Sequence, residues 1–184
     1  MTFGLARQVD AAMNNTSGIE QATETSLEDI PAAAKRVVEM AMRDGIPYSL
    51  RRLPAANLPP EQIAESCGTE LPLIARATLY RGLATKKPVM VLSSAATAVS
   101  ERTLAHLVGE VLVKADPAST ERVTGFSSEA LPPIGLYSRL PIMMDEELAR
   151  FGRIWCMAGA ADLVMSVPTT VLARAIAARL VKLD

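Results

Sequence analysis

The sequence predicts an α+β domain, a mixed sheet of short strands with helices at its periphery. Short apolar or alternating runs recur along the chain, capped amphipathic segments fall between them at irregular intervals, and Gly or Pro punctuates most junctions. A doubly wound parallel sheet needs regular alternation of strand and helix, which this chain lacks. No internal repeat is visible.

Residues 1–25 are small and polar, with Asn14, Asn15, Thr16, Ser17 and Gly18 in succession, and read as a mobile tail before one domain over residues 26–184. Ser26 and Asp29 make a capping-box-like start, Pro31 suits a first helical turn, and Ala33, Val37, Met40 and Ala41 form an apolar stripe that stops at Gly45. Tyr48 and Leu50 alternate as a short strand. After the prolines between Pro54 and Pro60, residues 61–67 read as a helix closed by Gly68. Residues 74–80 and 88–92 read as two strands of a hairpin around a polar turn. Ser100 caps a helix to Val108, residues 111–113 are a short strand, and Asp116 with Pro117 opens a helix that ends at Gly125. Residues 142–144 form a strand running straight into a helix capped by Asp145, with Glu146 and Glu147 in its first turn. A second hairpin pairs residues 154–157 with 163–167 around a tight turn at 158–161. Thr169 then caps a C-terminal helix with Leu172, Ile176 and Leu180 on its apolar side and Arg174, Arg179 and Lys182 on its polar side.

Composition narrows the function. A chain of 184 residues that is 49% hydrophobic carries one ordinary core. Its net charge of −1 supplies no general positive field for nucleic acid, so no DNA partner is expected. No apolar run approaches the roughly 20 residues of a membrane helix, and the N-terminus lacks the apolar core of a secretory signal, so a cytoplasmic location without membrane contact is expected. Cys67 and Cys156 stand far apart and outside any Cys-x-x-Cys grouping, which reads as two reduced, packed thiols. His106 is the one histidine, so a histidine metal cluster is excluded and a Ser-His-Asp site would rest on a residue of an amphipathic helix. Neither a metal nor another cofactor is expected. Arg51, Arg52, Arg76, Arg81, Lys86 and Lys87 either form a local phosphate-holding rim or are scattered solvated charges.

Two stretches carry candidate chemistry. Pro133 and Gly135 bracket Ile134, so the backbone is extended before the proline and free to take positive φ at the glycine. Such a loop either presents bare N–H groups to a ligand or only turns the chain. Arg76 is the sole charge in residues 74–80, and a guanidinium there is either edge-exposed or functional, because an unpaired buried charge is costly.

The succession Ile74-Ala75-Arg76-Ala77-Thr78-Leu79-Tyr80, Gly125-Phe126, Pro133-Ile134-Gly135, Leu140-Pro141-Ile142-Met143-Met144-Asp145-Glu146-Glu147-Leu148 and Ala158-Gly159 resembles the YbaK family. That family includes free-standing aminoacyl-tRNA deacylases and the editing insertion of bacterial prolyl-tRNA synthetases. The resemblance covers roughly residues 34–184. It implies a curved, mixed, largely antiparallel sheet of about six or seven strands around a pocket that receives the aminoacyl 3′ end of a mischarged tRNA, whose ester is hydrolysed by water. It implies Arg76, Ala130 and Gly135 for the chemistry. For the substrate it implies Tyr48, Ala77, Pro133, Ile134, Met157, Gly159, Asp162 and Val164.

The chain departs from the family pattern at informative places. Arg76 and Ala77 stand where members usually have lysine followed by threonine or another polar residue, and arginine is a planar fork where lysine is a point donor. Ala130 opens the family's Gly-x-x-Pro-x-Gly loop without its first glycine. Met157 and Val164 fall where the best-known branch has serine and aspartate. Asp162 lies two residues from that aspartate and shares the face of Val164 by strand alternation. Two readings follow: an editing hydrolase acting in trans with an altered, more apolar substrate, or a lapsed domain that binds or regulates. Both place Ala77, Met157 and Val164 in one pocket with Arg76, and the first favours convergence of Arg76, Asp162 and the Gly135 loop on one open cavity.

Overall fold

The computed structural model describes residues 23–24 and 29–184. Most of the expected tail and the expected cap at Ser26 lie outside the described residues. Two residues of that tail, Thr23–Glu24, form strand β1, which pairs antiparallel with β2 (Ser49–Arg52). Helix α1 (Ala32–Arg43) starts directly after Pro31 and buries Ala34, Val37, Val38 and Ala41. Helix α2 (Pro60–Cys67) stops at Gly68, whose φ of +64° only glycine adopts freely.

The first hairpin forms as expected from β3 (Ala75–Gly82) and β4 (Pro88–Ser94). Helix α3 (Glu101–Val108) is capped by Ser100 Oγ, which accepts from Thr103 N at 3.2 Å. After β5 (Leu112–Lys114), α4 (Pro117–Thr124) begins where Asp116 accepts from Ser119 N at 2.8 Å. The remaining elements are β6 (Ile142–Asp145), β7 (Arg153–Ala160), β8 (Leu163–Pro168), α5 (Thr169–Ala175) and β9 (Arg179–Val181).

The strands form two sheets, ordered β1-β2-β8-β7 and β5-β3-β4-β6-β9. Every pairing is antiparallel except β4 with β6 and β6 with β9. The mixed, largely antiparallel class holds, with nine strands in two sheets among the described residues in place of six or seven in one. Among the described residues a single parallel bridge, Ile74 to Trp155, links the sheets. The main core lies between α1 and the inner faces of both, where Val37, Leu79, Met90, Leu92, Met144, Ile154 and Met165 pack. A smaller cluster, including Tyr80, Val91, Leu104 and Met143, fills the other face of β3 and β4 beneath α3.

Three local expectations change. Asp145 opens only one 3-10 turn (Leu148–Arg150) instead of a helix, because its carboxylate is buried and spent elsewhere. Its Oδ2 accepts from Ser94 N at 3.1 Å and Thr97 Oγ1 at 2.5 Å, tying β6 to the end of β4, while Oδ1 accepts from Glu147 N. The expected tight turn at 158–161 is a bulge: β7 continues to Ala160, its register shifts between Met157 and Ala160, and Gly159 sits at φ +86°. The C-terminal helix begins at Thr169 with no side-chain cap and ends at Ala175, not beyond Leu180. Ala177 takes φ +49°, and the chain leaves as β9 to cover the open edge of β6, with Val181 buried and Leu180 half exposed. Among the described residues no helix is long and apolar enough to cross a membrane, and no group of three His, Cys, Asp or Glu residues is placed to hold a metal.

Candidate ligand cleft between two strand edges

Strands β3 and β7 lie side by side, joined by the isolated bridge of Ile74, the residue before β3, to Trp155, and residues of both line a cavity of about 320 Å³. The carbonyl of Ile74 accepts from Ala95 N on the β4 side, and that of Leu79 accepts from Ala115 N on the opposite side. Backbone direction alternates along a strand, so Ala77 points its N–H and C=O away from β4, toward β7. Since the Ile74 carbonyl is engaged elsewhere, Trp155 supplies the backbone groups of the bridge, and alternation carries Met157 to the same side. Two strand edges thus face each other across the cavity.

Its walls are largely apolar. Ile63 from α2, Ile74, Leu131, Trp155, Met157 and Val164 surround it, with Cys156 also in the lining. Polar atoms come from Asn57, Arg76, Thr78, Ser128 and Glu129. Arg76 is exposed and enters no ion pair among the described residues. Trp155 is half-buried and carries the Arg51 guanidinium 5.0 Å from its ring centroid, while Arg51 donates to the carbonyl of Cys67 at 2.9 Å. Burial pushes the Cys156 thiol up to about 12, and it pushes Cys67 up to about 11 against the opposing charge of Arg51. Neither is a thiolate at neutral pH, so neither is an activated nucleophile.

Arg76, Ala77, Met157 and Val164 therefore meet in one cavity, from hairpins distant in sequence. The other expected positions do not join them. Pro133, Ile134 and Gly135 line a different cavity of about 460 Å³ with Met40 and Ile142. Gly135 lies at φ +78°, and a Cβ there would stand 3.1 Å from Val37 Cα, so the loop is a packing corner against α1. Ala130 is buried outside the lining, with its N–H bonded to the Ser127 carbonyl at 3.2 Å, and only its neighbours Ser128, Glu129 and Leu131 reach the cleft. Gly159 is packed at the bulge, where a Cβ would come within 2.8 Å of the Phe126 ring. Asp162, in the turn after β7, is engaged by Arg52, whose other amino group donates to the Asp29 carbonyl. Tyr48 is half-buried against the main core. Arg76, Asp162 and the Gly135 loop do not converge.

The residues missed from sequence are Asn57, Thr78, Ser128, Glu129 and Trp155. A signal existed for some of them. Ser127-Ser128-Glu129 is a turn cluster directly before the proline loop, and Asn57 is a residue type that tolerates the φ of +58° it adopts while its N–H bonds the Ala161 carbonyl. Trp155 read only as a buried strand residue.

Comparison with known proteins bears on the family and the fold. The sequence model of the aminoacyl-tRNA editing domain family matches residues 55–175. Among solved structures, a proposed trans-editing enzyme for prolyl tRNA synthetase superposes with a TM-score of 0.78 at 23% identity, covering 85% of this chain and 99% of that one. A structure from computational epitope backbone grafting onto scaffold proteins gives 0.77 at 24% identity over 84% and 98% of the two chains. Hypothetical protein APE2540 gives 0.74 at 16% identity over 80% and 97%. At these identities the structural likeness shows the fold. No curated protein matches the sequence. The family match spans well over half of the chain, and the chain belongs to the aminoacyl-tRNA editing domain family.

Proposed function

We propose that the cleft between β3 and β7 receives the aminoacyl 3′ end of a mischarged tRNA and that the domain hydrolyses its ester in trans, selecting an apolar amino acid. The observation that carries this reading is the meeting of Arg76, Ala77, Met157 and Val164 in one cavity. Its volume lies at the small end of ligand pockets, which suits an amino acid and its ester. Residues 26–184 suffice for this activity, and a cytoplasmic location fits a substrate made where tRNAs are charged.

The chemistry uses groups of the lining. Glu129, the one carboxylate there among the described residues, takes a proton from water as the water oxygen bonds to the ester carbonyl carbon. Negative charge then forms on the carbonyl oxygen, where the Arg76 guanidinium and the Ala77 N–H stabilise it; a donor of this kind is worth about 10²–10³ in rate. Collapse of the tetrahedral intermediate breaks the bond to the ribose 3′ oxygen, which takes the proton back from Glu129.

Met157, Val164 and Ala77 set the choice of amino acid. A hydroxyl held against this wall loses its water without a replacement, at a cost of about 1–3 kcal/mol, or about 5- to 150-fold in selectivity. The same apolar residues, together with the failure of Arg76, Asp162 and the Gly135 loop to converge, favour a second reading, a lapsed editor that binds the 3′ end without turnover, because they remove partners that would hold the attacking water. A deacylation screen over a panel of mischarged tRNAs decides. The first reading expects turnover of tRNAs bearing small apolar amino acids and sparing of seryl esters, and absence of turnover on every ester defeats it.

A further inference from the structure

On the opposite side of Arg76 lies a third cavity, a polar groove of about 240 Å³ that shares Arg76 and Thr78 with the cleft. The sheet register shows why these side chains gather. Arg76, Thr78 and Tyr80 share the face of β3 turned away from the main core, Ser93 stands opposite Arg76, and Lys114 stands opposite Tyr80. Arg76 and Lys114 are both exposed cations, and neither enters an ion pair among the described residues. Glu101, in the first turn of α3, is the one carboxylate in the lining among the described residues, so cations outnumber it here although the chain as a whole is slightly acidic. Thr97 also lines the groove, but its hydroxyl proton is given to Asp145. Thr78, Tyr80 and Ser93 also bring hydroxyls to the lining, and none of the three enters a side-chain hydrogen bond among the described residues.

We infer that this groove holds the phosphodiester chain of the RNA whose aminoacyl end occupies the cleft, with Arg76 at the junction and Lys114 as a phosphate contact beyond it. The inference rests on the hydrolase reading for the position of the ester, and adds a binding subsite to it. Three features select a polynucleotide. Arg76 and Lys114 sit four residues apart along β3 and one strand across, so their Cα atoms are about 14 Å apart and each cation can meet a different phosphate of one chain. Ammonium, guanidinium and hydroxyl donors together are the set that binds phosphate and ribose oxygens. The groove and the cleft share Arg76 and Thr78, so a ligand anchored by its ester in the cleft can continue past Arg76 along the groove.

The test compares three probes on the full chain: a mischarged tRNA, the same amino acid esterified to adenosine with no phosphate, and a short uncharged RNA oligonucleotide with the tRNA 3′ sequence. Binding of the oligonucleotide is followed by fluorescence of Trp155, the one tryptophan of the chain, which lines the cleft. Lys114→Ala is expected to raise KM for the mischarged tRNA about fivefold with kcat unchanged, and to leave hydrolysis of the aminoacyl adenosine as it was. It should also reduce the slope of log affinity against log salt by about 0.7, the loss of one phosphate contact to a single strand, while Lys114→Arg keeps both values. Equal effects on the two esters, or no effect on either, overturn the groove while leaving the hydrolase reading intact. If the parent chain hydrolyses neither ester, the hydrolase reading is what fails, and the groove is judged on the oligonucleotide: Lys114→Ala weakens its binding about fivefold, or the inference is wrong.

Discussion

Arg36, on the inner side of α1, donates through Nε to the carbonyl of Gly135 at 2.8 Å and through a terminal nitrogen to that of Gly125 at 2.9 Å. Its guanidinium also lies 4.3 Å from the ring centroid of Phe126 and 4.5 Å from that of Tyr137. One side chain thus fixes both ends of the loop that carries Ser128, Glu129 and Leu131 to the cleft. Arg36→Ala is expected to destabilise the fold by about 2–3 kcal/mol, since it removes two charge-assisted bonds and a doubly stacked cation. Arg36→Lys should recover little, because a point donor cannot serve both carbonyls. Urea midpoints measure both, and an unchanged midpoint for the alanine variant would remove Arg36 from this role.

Gly159→Ala tests the bulge in β7. At φ +86°, with a Cβ only 2.8 Å from Phe126 Cε1 and 3.2 Å from the carbonyl carbon of Ala33, the variant should lose about 2 kcal/mol or more. Gly152→Ala, where a Cβ meets nothing within 4 Å, is the control and should melt close to the parent.

Asp162 separates this account from one that uses it as a stand-in for the missing aspartate. It pairs with Arg52, both side chains are about one-third exposed (34% and 32%), and it lies outside the cleft lining. Asp162→Asn should leave kcat/KM for deacylation unchanged and cost less than about 1 kcal/mol in stability. A large fall in kcat/KM at unchanged stability would return Asp162 to the site.

How much of this was legible in the sequence follows from which interactions are local. The helix caps at Ser100 and Asp116 and the glycine stop at Gly68 were readable because each is settled within a few residues. The helix expected after Asp145 and the long C-terminal helix were not, because distant partners decide them: Ser94 and Thr97 claim the Asp145 carboxylate, and the edge of β6 recruits Arg179–Val181 as a strand. At the site, the meeting of Arg76 with Ala77, Met157 and Val164 followed from the family resemblance. The assignment of Gly135 to packing did not, since it depends on the contact with Val37 and the bond from Arg36.

The two thiols give a pH prediction. Burial disfavours the thiolate, so both folded pKa values lie above the ordinary value of 9.0, at about 12 for Cys156 and about 11 for Cys67. The stability each contributes is fully present below pH 9 and is lost as pH rises from there through the folded pKa. At pH 8 the native chain should react slowly with a thiol reagent, and in denaturant both cysteines should titrate at once. Rapid native labelling of either would mean that its surroundings open.

The central claim is that the cleft beside Arg76 is where the ester is cleaved, and the most direct measurement is kcat/KM for deacylation of a mischarged tRNA by the parent and by Arg76→Ala. Arg76 is exposed and unpaired among the described residues, so its removal should leave the denaturation midpoint unchanged. The account predicts a fall in kcat/KM of about 100-fold or more at that unchanged stability. An Arg76→Ala chain that deacylates as fast as the parent would contradict it.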